Sequence, residues 1–209
     1  MSALNPLPDK RLNSRVLDRV EQGICVGLYV FMVRRMIPAT TIQLFPILML
    51  ISEGAVLVFL LLRKSGNSIS VKLYDWIMAA AGTFLVLLVG PGGKPISPWL
   101  ATLLLTIGMC IHIGAKLSLN LSFGLVAANR GIKSNGMYRF VRHPMYAGYI
   151  VCHIGFLLFA PALYNIAIYL ISWGLFIIRI EAEEAYLKQD PKYVAFCEKT
   201  KWRLFPGLY

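Results

Sequence analysis

The chain has 209 residues, of which 57% are hydrophobic and only 15% are charged, and its mean hydropathy is +0.65. A soluble globular domain has about 25% charged residues, so this composition excludes an ordinary soluble domain and indicates a polytopic membrane protein. The net charge of +11 would suggest a nucleic-acid partner in a soluble protein. Here it indicates anionic lipid headgroups instead, and we expect membrane lipids but no nucleic acid as partners.

Six stretches are apolar enough to cross a bilayer, which takes roughly 17–25 residues of helix. The first is the weakest, because two arginines interrupt it and would have to snorkel outward. Pro161 is expected in a tight turn between the last two stretches. The predicted fold is therefore all-α: a polytopic membrane helix bundle with five to six transmembrane helices. The stretches are about 22–38, 42–62, 74–90, 98–119, 145–160 and 162–179.

The basic residues predict the orientation of this bundle. With six spans, eighteen of the 21 Lys and Arg residues lie on one side, and only Arg34, Arg35 and Lys94 lie on the other. Basic residues accumulate in cytoplasmic loops, so both termini are predicted to be cytoplasmic. The first 22 residues are rich in charge and hold no apolar segment, so we expect no signal peptide.

After the last span, the helix is expected to continue past Glu184 to about Lys188. Asp190-Pro191 is typical of an N-cap followed by proline at the first helical position, and predicts a short helix to about Thr200. The aromatic and basic tail 202–209 is expected to lie against the membrane and to cover whatever sits below it.

One motif, residues 136–149, stands between two apolar stretches. Pro144 fits the first position of a helix, whose free N–H groups attract anions. Arg142 and His143 precede it and would strengthen that attraction. Gly148 lies one turn later and allows a ligand or another helix to approach closely. The alternative is an interfacial helix start with a snorkelling arginine.

A second polar motif follows at the end of the last apolar stretch. Arg179 and Glu183 are four residues apart and share a helix face, while Glu181 and Glu184 share a neighbouring face. Carboxylates next to a cation suit a ligand that carries both charges, such as S-adenosylmethionine. The alternative is an ordinary Arg–Glu pair on a solvated helix end.

Together, Gly-x-Tyr-x-x-x-Arg-His-Pro-x-Tyr-x-Gly, an apolar hairpin, Arg-x-x-x-Glu-Glu and a tail with Arg-x-x-Pro resemble the isoprenylcysteine carboxyl methyltransferase family over about residues 117–209. The resemblance implies a cytoplasm-facing S-adenosylmethionine pocket, built from the C-terminal half without a Rossmann domain. It also implies a lateral opening for a lipid-borne acceptor. We expect one integral-membrane domain, 1–209, with N-terminal helices in 1–116 and a catalytic, cofactor-binding part in 117–209.

The resemblance assigns roles to individual residues. Arg179 would be catalytic, because it orients the carboxylate of the acceptor, and Arg203 would join it in binding substrate. Phe196, where a second tyrosine is common, and the Asn-Arg-Gly segment 129–131 depart from the family pattern and put the acceptor in doubt. The implied cofactor-binding residues are Arg130, Gly131, Ile132, Lys133, Tyr138, His143, Pro144, Met145, Tyr146, Glu183 and Glu184.

The implied reaction is carboxyl O-methylation of a lipid-like or prenylated acceptor. One alternative is a phospholipid N-methyltransferase, which would need a base and less of Arg179. Another is an NADPH-dependent membrane reductase of the sterol or steroid type, although carboxylates would repel the phosphates of that cofactor. A transporter or scaffold would explain the helices but not the paired motifs.

Other polar residues interrupt the apolar stretches. Glu53 is either a buried functional carboxylate or one bonded locally or facing the interface. Lys116 is expected to snorkel, His112 to approach headgroups, and His153 to be a packing residue. Four dispersed cysteines and three histidines without ligand spacing predict neither a disulfide framework nor a metal site.

Overall fold

The computed structural model of the protein describes residues 10–36, 44–62, 73–122, 124–125 and 131–209. Over these ranges the chain is all-α, with seven α-helices and no β-strand, which confirms the predicted fold class. The helices are α1 (Lys10–Met36), α2 (Leu44–Leu62), α3 (Leu73–Leu85), α4 (Pro98–Leu119), α5 (Pro144–Phe159), α6 (Leu163–Leu187) and α7 (Pro191–Lys199). Three short 3₁₀ turns flank them: Val86–Leu88 after α3, Asn120–Ser122 after α4 and Gly136–Arg139 before α5.

Two of these helices, α4 and α6, are long and apolar enough to cross a membrane, and shorter apolar helices lie at 49–62, 73–88 and 144–159. A helix covers most of each of the six predicted stretches, but the count of five to six spans stays a prediction. Helix α1 begins at Lys10 and so extends well before the first apolar stretch. Its early turns bury Asp18 and Glu21, and Glu21 accepts a hydrogen bond from the backbone N–H of Leu125.

Helices α4 and α5 pack backbone against backbone because small residues line their contact. A Cβ atom on Gly148 would lie 2.8 Å from the backbone nitrogen of His112 and 2.9 Å from the carbonyl oxygen of Gly108. A Cβ on Gly155 would lie 2.9 Å from the nitrogen of Leu105. Small residues allow this approach between membrane helices. Of the two partners predicted for Gly148, the structure shows the helix.

The turn between α5 and α6 contains Pro161, as predicted, and is fixed by Asn165. The Asn165 side chain donates to the carbonyls of Gly90 (2.9 Å) and Ala160 (3.0 Å) and accepts from the Gly90 N–H (3.2 Å). Arg35 was expected to snorkel; its Nη2 donates to the carbonyls of Leu88 and Val89, each at 2.9 Å. These bonds tie α1 and α6 to the chain that follows α3.

The predictions for the C-terminal part are confirmed. Helix α6 continues to Leu187, and α7 starts at Pro191 with Asp190 as its N-cap. The Asp190 carboxylate accepts the Lys192 N–H at 2.9 Å. Local capping chemistry therefore defines this boundary.

The C-terminal tail lies over the start of α5. The N–H of Arg142 donates to the carbonyl of Trp202 (2.9 Å), and the N–H of His143 donates to that of Arg203 (2.8 Å). Leu204 is buried with residues of α5 and α6, among them Tyr146 and Phe176. The tail thus covers the ends of these helices, and its contact with a membrane stays a prediction.

Candidate functional site

The two sequence motifs meet at one buried carboxylate, that of Glu184, which is 1% exposed. Its Oε1 accepts from Arg142 Nε at 2.8 Å and lies 3.3 Å from His143 Nε2. Its Oε2 accepts from Arg203 Nε (3.2 Å) and Nη2 (3.1 Å) and pairs with Lys188 Nζ (3.2 Å). We call these five residues the Glu184 cluster. It joins the start of α5, the end of α6 and the tail.

The arginines of this cluster also bind the tail. Arg142 Nη1 donates to the carbonyls of Thr200 (2.9 Å) and Lys201 (2.7 Å). Arg203 Nη1 donates to the hydroxyl of Tyr209 at 2.8 Å. Partial burial alone would lower the pKa of Arg203, but the hydrogen bonds and charge of Glu184 outweigh it and raise that pKa. Glu184 and Arg203, predicted as ligand-binding residues, are thus engaged with each other.

A small polar crevice opens beside the cluster, between α3, α5 and α6. Glu183 and Arg179 line it from α6, Asp75 from α3 and Tyr146 from α5. Its volume is about 20 Å³, and a water needs about 10–15 Å³. The crevice therefore offers carboxylates and a cation within a space that suits only the charged end of a larger ligand.

Arg179 is half-buried and is held from three sides. Its Nη2 donates to the carbonyl of Leu125 at 3.1 Å. Its guanidinium carbon lies 5.5 Å from the centre of the Tyr146 ring, within cation–π range. Gly82 of α3 packs against it, since a Cβ there would lie 3.4 Å from Arg179 Cδ, at ordinary contact distance. The side chain is fixed in place, and four of its five N–H donors are not used by the Leu125 contact.

A larger, apolar cavity lies on the other side of Arg179. Its volume is about 130 Å³, room for several waters or part of a lipid chain. Helices α1, α2, α3, α5 and α6 line it, mostly with aliphatic, methionine and aromatic side chains. Leu125, Tyr146 and Arg179 line both this cavity and the polar crevice. These three residues thus lie between a charged space and an apolar one.

The segment before α5 supplies several other predicted cofactor residues. Tyr138 is buried with Ala115 and with Tyr193 and Phe196 of α7, and Ile132 and Met145 pack against this group. Burial raises the pKa of Tyr138 well above its usual range, so the phenol stays protonated at neutral pH. Gly131 has a φ of +91°, which only glycine adopts easily.

The remaining predicted residues differ in how much the structure exposes them. Lys133 is exposed, whereas His143, at the N-cap of α5, and Pro144, at its first position, are buried. Arg130 lies outside the described residues.

A third polar group brings together residues that the sequence marked only one by one. Glu53 Oε1 accepts from Lys116 Nζ (2.7 Å) and from Tyr149 Oη (3.1 Å), and His112 Nε2 lies 3.1 Å away. We call these four residues the Glu53 cluster. Lys116 was predicted to snorkel and His112 to reach headgroups; both predictions were wrong, because both side chains are buried against Glu53. His153 is a packing residue, as predicted, and accepts from Trp173 Nε1 at 3.1 Å.

Sequence signals for the Glu53 cluster were present but incomplete. A glutamate, a lysine and a histidine within apolar stretches each need a partner. Nothing local tells which of them pair, since 63 positions separate Glu53 from Lys116.

Two helices of the described chain that are long and apolar enough to cross a membrane, with charged motifs gathered near a crevice, fit an α-helical membrane protein. Residues 99–189, a segment that holds both motifs, match the family model of the isoprenylcysteine carboxyl methyltransferase (ICMT) family, a family of membrane methyltransferases. The predicted resemblance is therefore confirmed. No curated protein and no solved structure matches the chain.

Proposed function

We propose that this protein transfers a methyl group from S-adenosylmethionine to the carboxylate of a lipid-like or prenylated acceptor that enters from the membrane. The observation that carries the proposal is the shared wall: Arg179 and Tyr146 line both the charged crevice and the apolar cavity. A polar methyl donor in the crevice and an apolar acceptor in the cavity would meet at this boundary.

The crevice fits the charges of this cofactor. S-adenosylmethionine supplies a methyl group on a positively charged sulfur, beside an ammonium and a carboxylate. Glu183 and Asp75 would attract its cationic groups. Tyr146 gives an aromatic face, which also favours a cation. The family resemblance would place the rest of the molecule along the segment 131–133 and the start of α5, where Lys133 is exposed, whereas Tyr138, His143 and Pro144 are buried.

Arg179 would position the acceptor. Its fixed guanidinium has donors for a bidentate bond to a carboxylate. A carboxylate is already ionised at neutral pH, so the reaction needs no base, and alignment of the two reactants dominates the rate. The apolar cavity would hold the hydrocarbon part of the acceptor and keep water away from these charges, which strengthens their interaction.

The Glu184 cluster would act on both sites. In this proposal Glu184 serves the cofactor site by holding His143 and Arg142 at the start of α5. Arg203, bound to the same carboxylate, would fasten the tail over the site and keep substrate below it. Both residues then support binding through the segments they connect.

Methyl transfer to membrane lipids tests the proposal. Purified protein is incubated with lipid extract and S-adenosylmethionine labelled on its methyl group. Label should enter the lipid fraction and should be released as methanol by mild base, because a carboxyl methyl ester hydrolyses and an N-methyl group does not. Arg179→Gln should lower incorporation about 100-fold or more, the order expected for a misplaced reactant. Arg19→Gln, which changes an exposed arginine of α1, should not.

Two results would contradict this proposal. Base-stable label would indicate an amine acceptor and remove the role given to Arg179. Full activity of Arg179→Gln would show that the acceptor is oriented elsewhere.

A further inference from the structure

The Glu53 cluster lies at the apolar cavity and takes no part in the proposed methyl transfer. Glu53 and Tyr149 line the cavity, whereas Lys116 and His112 lie behind them. The side chain of Glu53 is 20% exposed, against 5% for Lys116 and 1% for His112. Glu53 is therefore the charged member of the cluster that a molecule in the cavity can reach.

The hydrogen bonds of Glu53 are all made by one of its two carboxylate oxygens. Its Oε1 lies within hydrogen-bond distance of Lys116, Tyr149 and His112. Its Oε2 makes no hydrogen bond with the side chains and backbone that the structure describes. A carboxylate oxygen keeps capacity for further hydrogen bonds, and in an apolar cavity a donor on the bound molecule is the partner that it favours.

The charges around Glu53 decide what kind of donor fits. Lys116 balances the carboxylate at 2.7 Å, and His112 donates to it as a neutral ring, a tautomer that we assign from this geometry. The cluster is then neutral as a whole. A neutral donor, such as a hydroxyl or an amide N–H, adds a hydrogen bond without adding a charge to an apolar wall, whereas an ammonium would add one.

We propose that the Glu53 cluster is a binding site for a hydroxyl or amide N–H group on the lipid that occupies the apolar cavity. This inference deepens the proposed function, since that lipid is the proposed acceptor. It implies an acceptor that is not pure hydrocarbon beyond its carboxylate, but carries a second polar group partway along the buried part. A role only in joining α2 to α4 would not require Glu53 to line the cavity.

Fatty-acid probes test this site directly. Two series of increasing chain length are compared, ω-hydroxy fatty acids and the parent acids, by displacement of a fluorescent fatty acid from the purified protein in detergent. At the chain length that reaches Glu53, the hydroxy acid should bind about fivefold more tightly than its parent, the gain of one net hydrogen bond. Shorter and longer pairs should show no preference.

Variants then test whether the preference for the ω-hydroxy acid arises at the Glu53 cluster. In the double variant Glu53→Met with Lys116→Met, the ion pair is replaced by apolar side chains, a change that buried pairs often tolerate. The parent acids should still bind, which shows that the variant is folded, and the preference for the hydroxy acid should vanish. Thr83→Val is the control: Thr83 also lines the cavity, but its hydroxyl donates to its own helix at Ala79 (3.0 Å). Its preference should be unchanged.

Equal affinity of the two series at every length would overturn the inference, as would no displacement by either. A preference that survives in the double variant would do so too. The proposed function fails separately, by absence of methyl transfer; Arg179→Gln should weaken both series equally and leave their ratio unchanged.

Discussion

Glu184 has the most connected side chain of the site described here. Four cationic or imidazole side chains from α5, α6 and the tail share its two oxygens, and it is almost fully buried. A buried carboxylate of this kind is held by its partners, and removal of its charge leaves them uncompensated. Glu184 is therefore first a structural residue, and it would affect function only through the segments that it joins.

Glu184→Gln should destabilise the protein by about 3 kcal/mol, since Arg142 and His143 would stay buried beside an uncharged amide. Thermal unfolding of the detergent-solubilised protein measures the loss. Glu181→Gln is the matched control, because Glu181 is an exposed carboxylate on the same helix. Equal melting temperatures for the two variants would show that the cluster does not hold the fold together.

Residues of the candidate site were predictable from the sequence where they lie in a short local motif. Arg142, His143 and Glu184 were singled out by their neighbours in the chain, and the structure brings them together. Which carboxylate bonds to His143 was not predictable, because Glu183 and Glu184 differ only by the rotation of α6. The pairing of Glu53 with Lys116 was not predictable either, since it depends on how α2 packs against α4.

At the scale of helices, the contact of α4 with α5 positions the site. His112 and Lys116 stand on α4, and Tyr146 and Tyr149 stand on α5, so the distance between the two helices sets the geometry of the cavity wall. Gly108 and Gly148 allow that distance. Any side chain at these positions would push the helices apart.

Gly148→Ala should lower stability by about 1–3 kcal/mol, because its Cβ would overlap backbone atoms of α4 that have no room to move. Gly174→Ala is the control: no atom lies within 4 Å of a Cβ there, so the helix should gain up to about 1 kcal/mol. Melting temperatures of the two variants should move in opposite directions. A harmless Gly148→Ala would mean that α4 and α5 do not pack this closely.

Helix ranges were largely predictable, because apolar composition and caps are local signals. Asp190-Pro191 gave the start of α7, and Pro144 that of α5. The charged first turns of α1 were not predicted as helix, since they carry no apolar pattern. Their buried Glu21 is compensated by a distant partner, the backbone N–H of Leu125.

At the scale of the whole molecule, two parts of the chain contribute to the proposed site, one inside the segment that the family model matches and one outside it. The matched family segment, 99–189, supplies Arg179, Glu183 and Tyr146. Helices α1, α2 and α3 lie outside that segment and form much of the wall of the apolar cavity. The family match therefore supports the methyltransferase chemistry, whereas much of the proposed acceptor cavity is formed by helices that the match does not cover. The cytoplasmic position of both termini stays a prediction from the distribution of basic residues.

The proposed function places S-adenosylmethionine in the crevice that Glu183 lines and gives Arg179 the task of binding the acceptor. Thermal unfolding of the purified protein with S-adenosylhomocysteine tests it most directly, with NADPH as the competing ligand. At a hundredfold excess over Kd, S-adenosylhomocysteine should stabilise the folded state by about 2.7 kcal/mol. This stabilisation should persist in Arg179→Gln and be lost in Glu183→Gln. Stabilisation by NADPH instead, or an undiminished effect of S-adenosylhomocysteine on Glu183→Gln, would contradict the account.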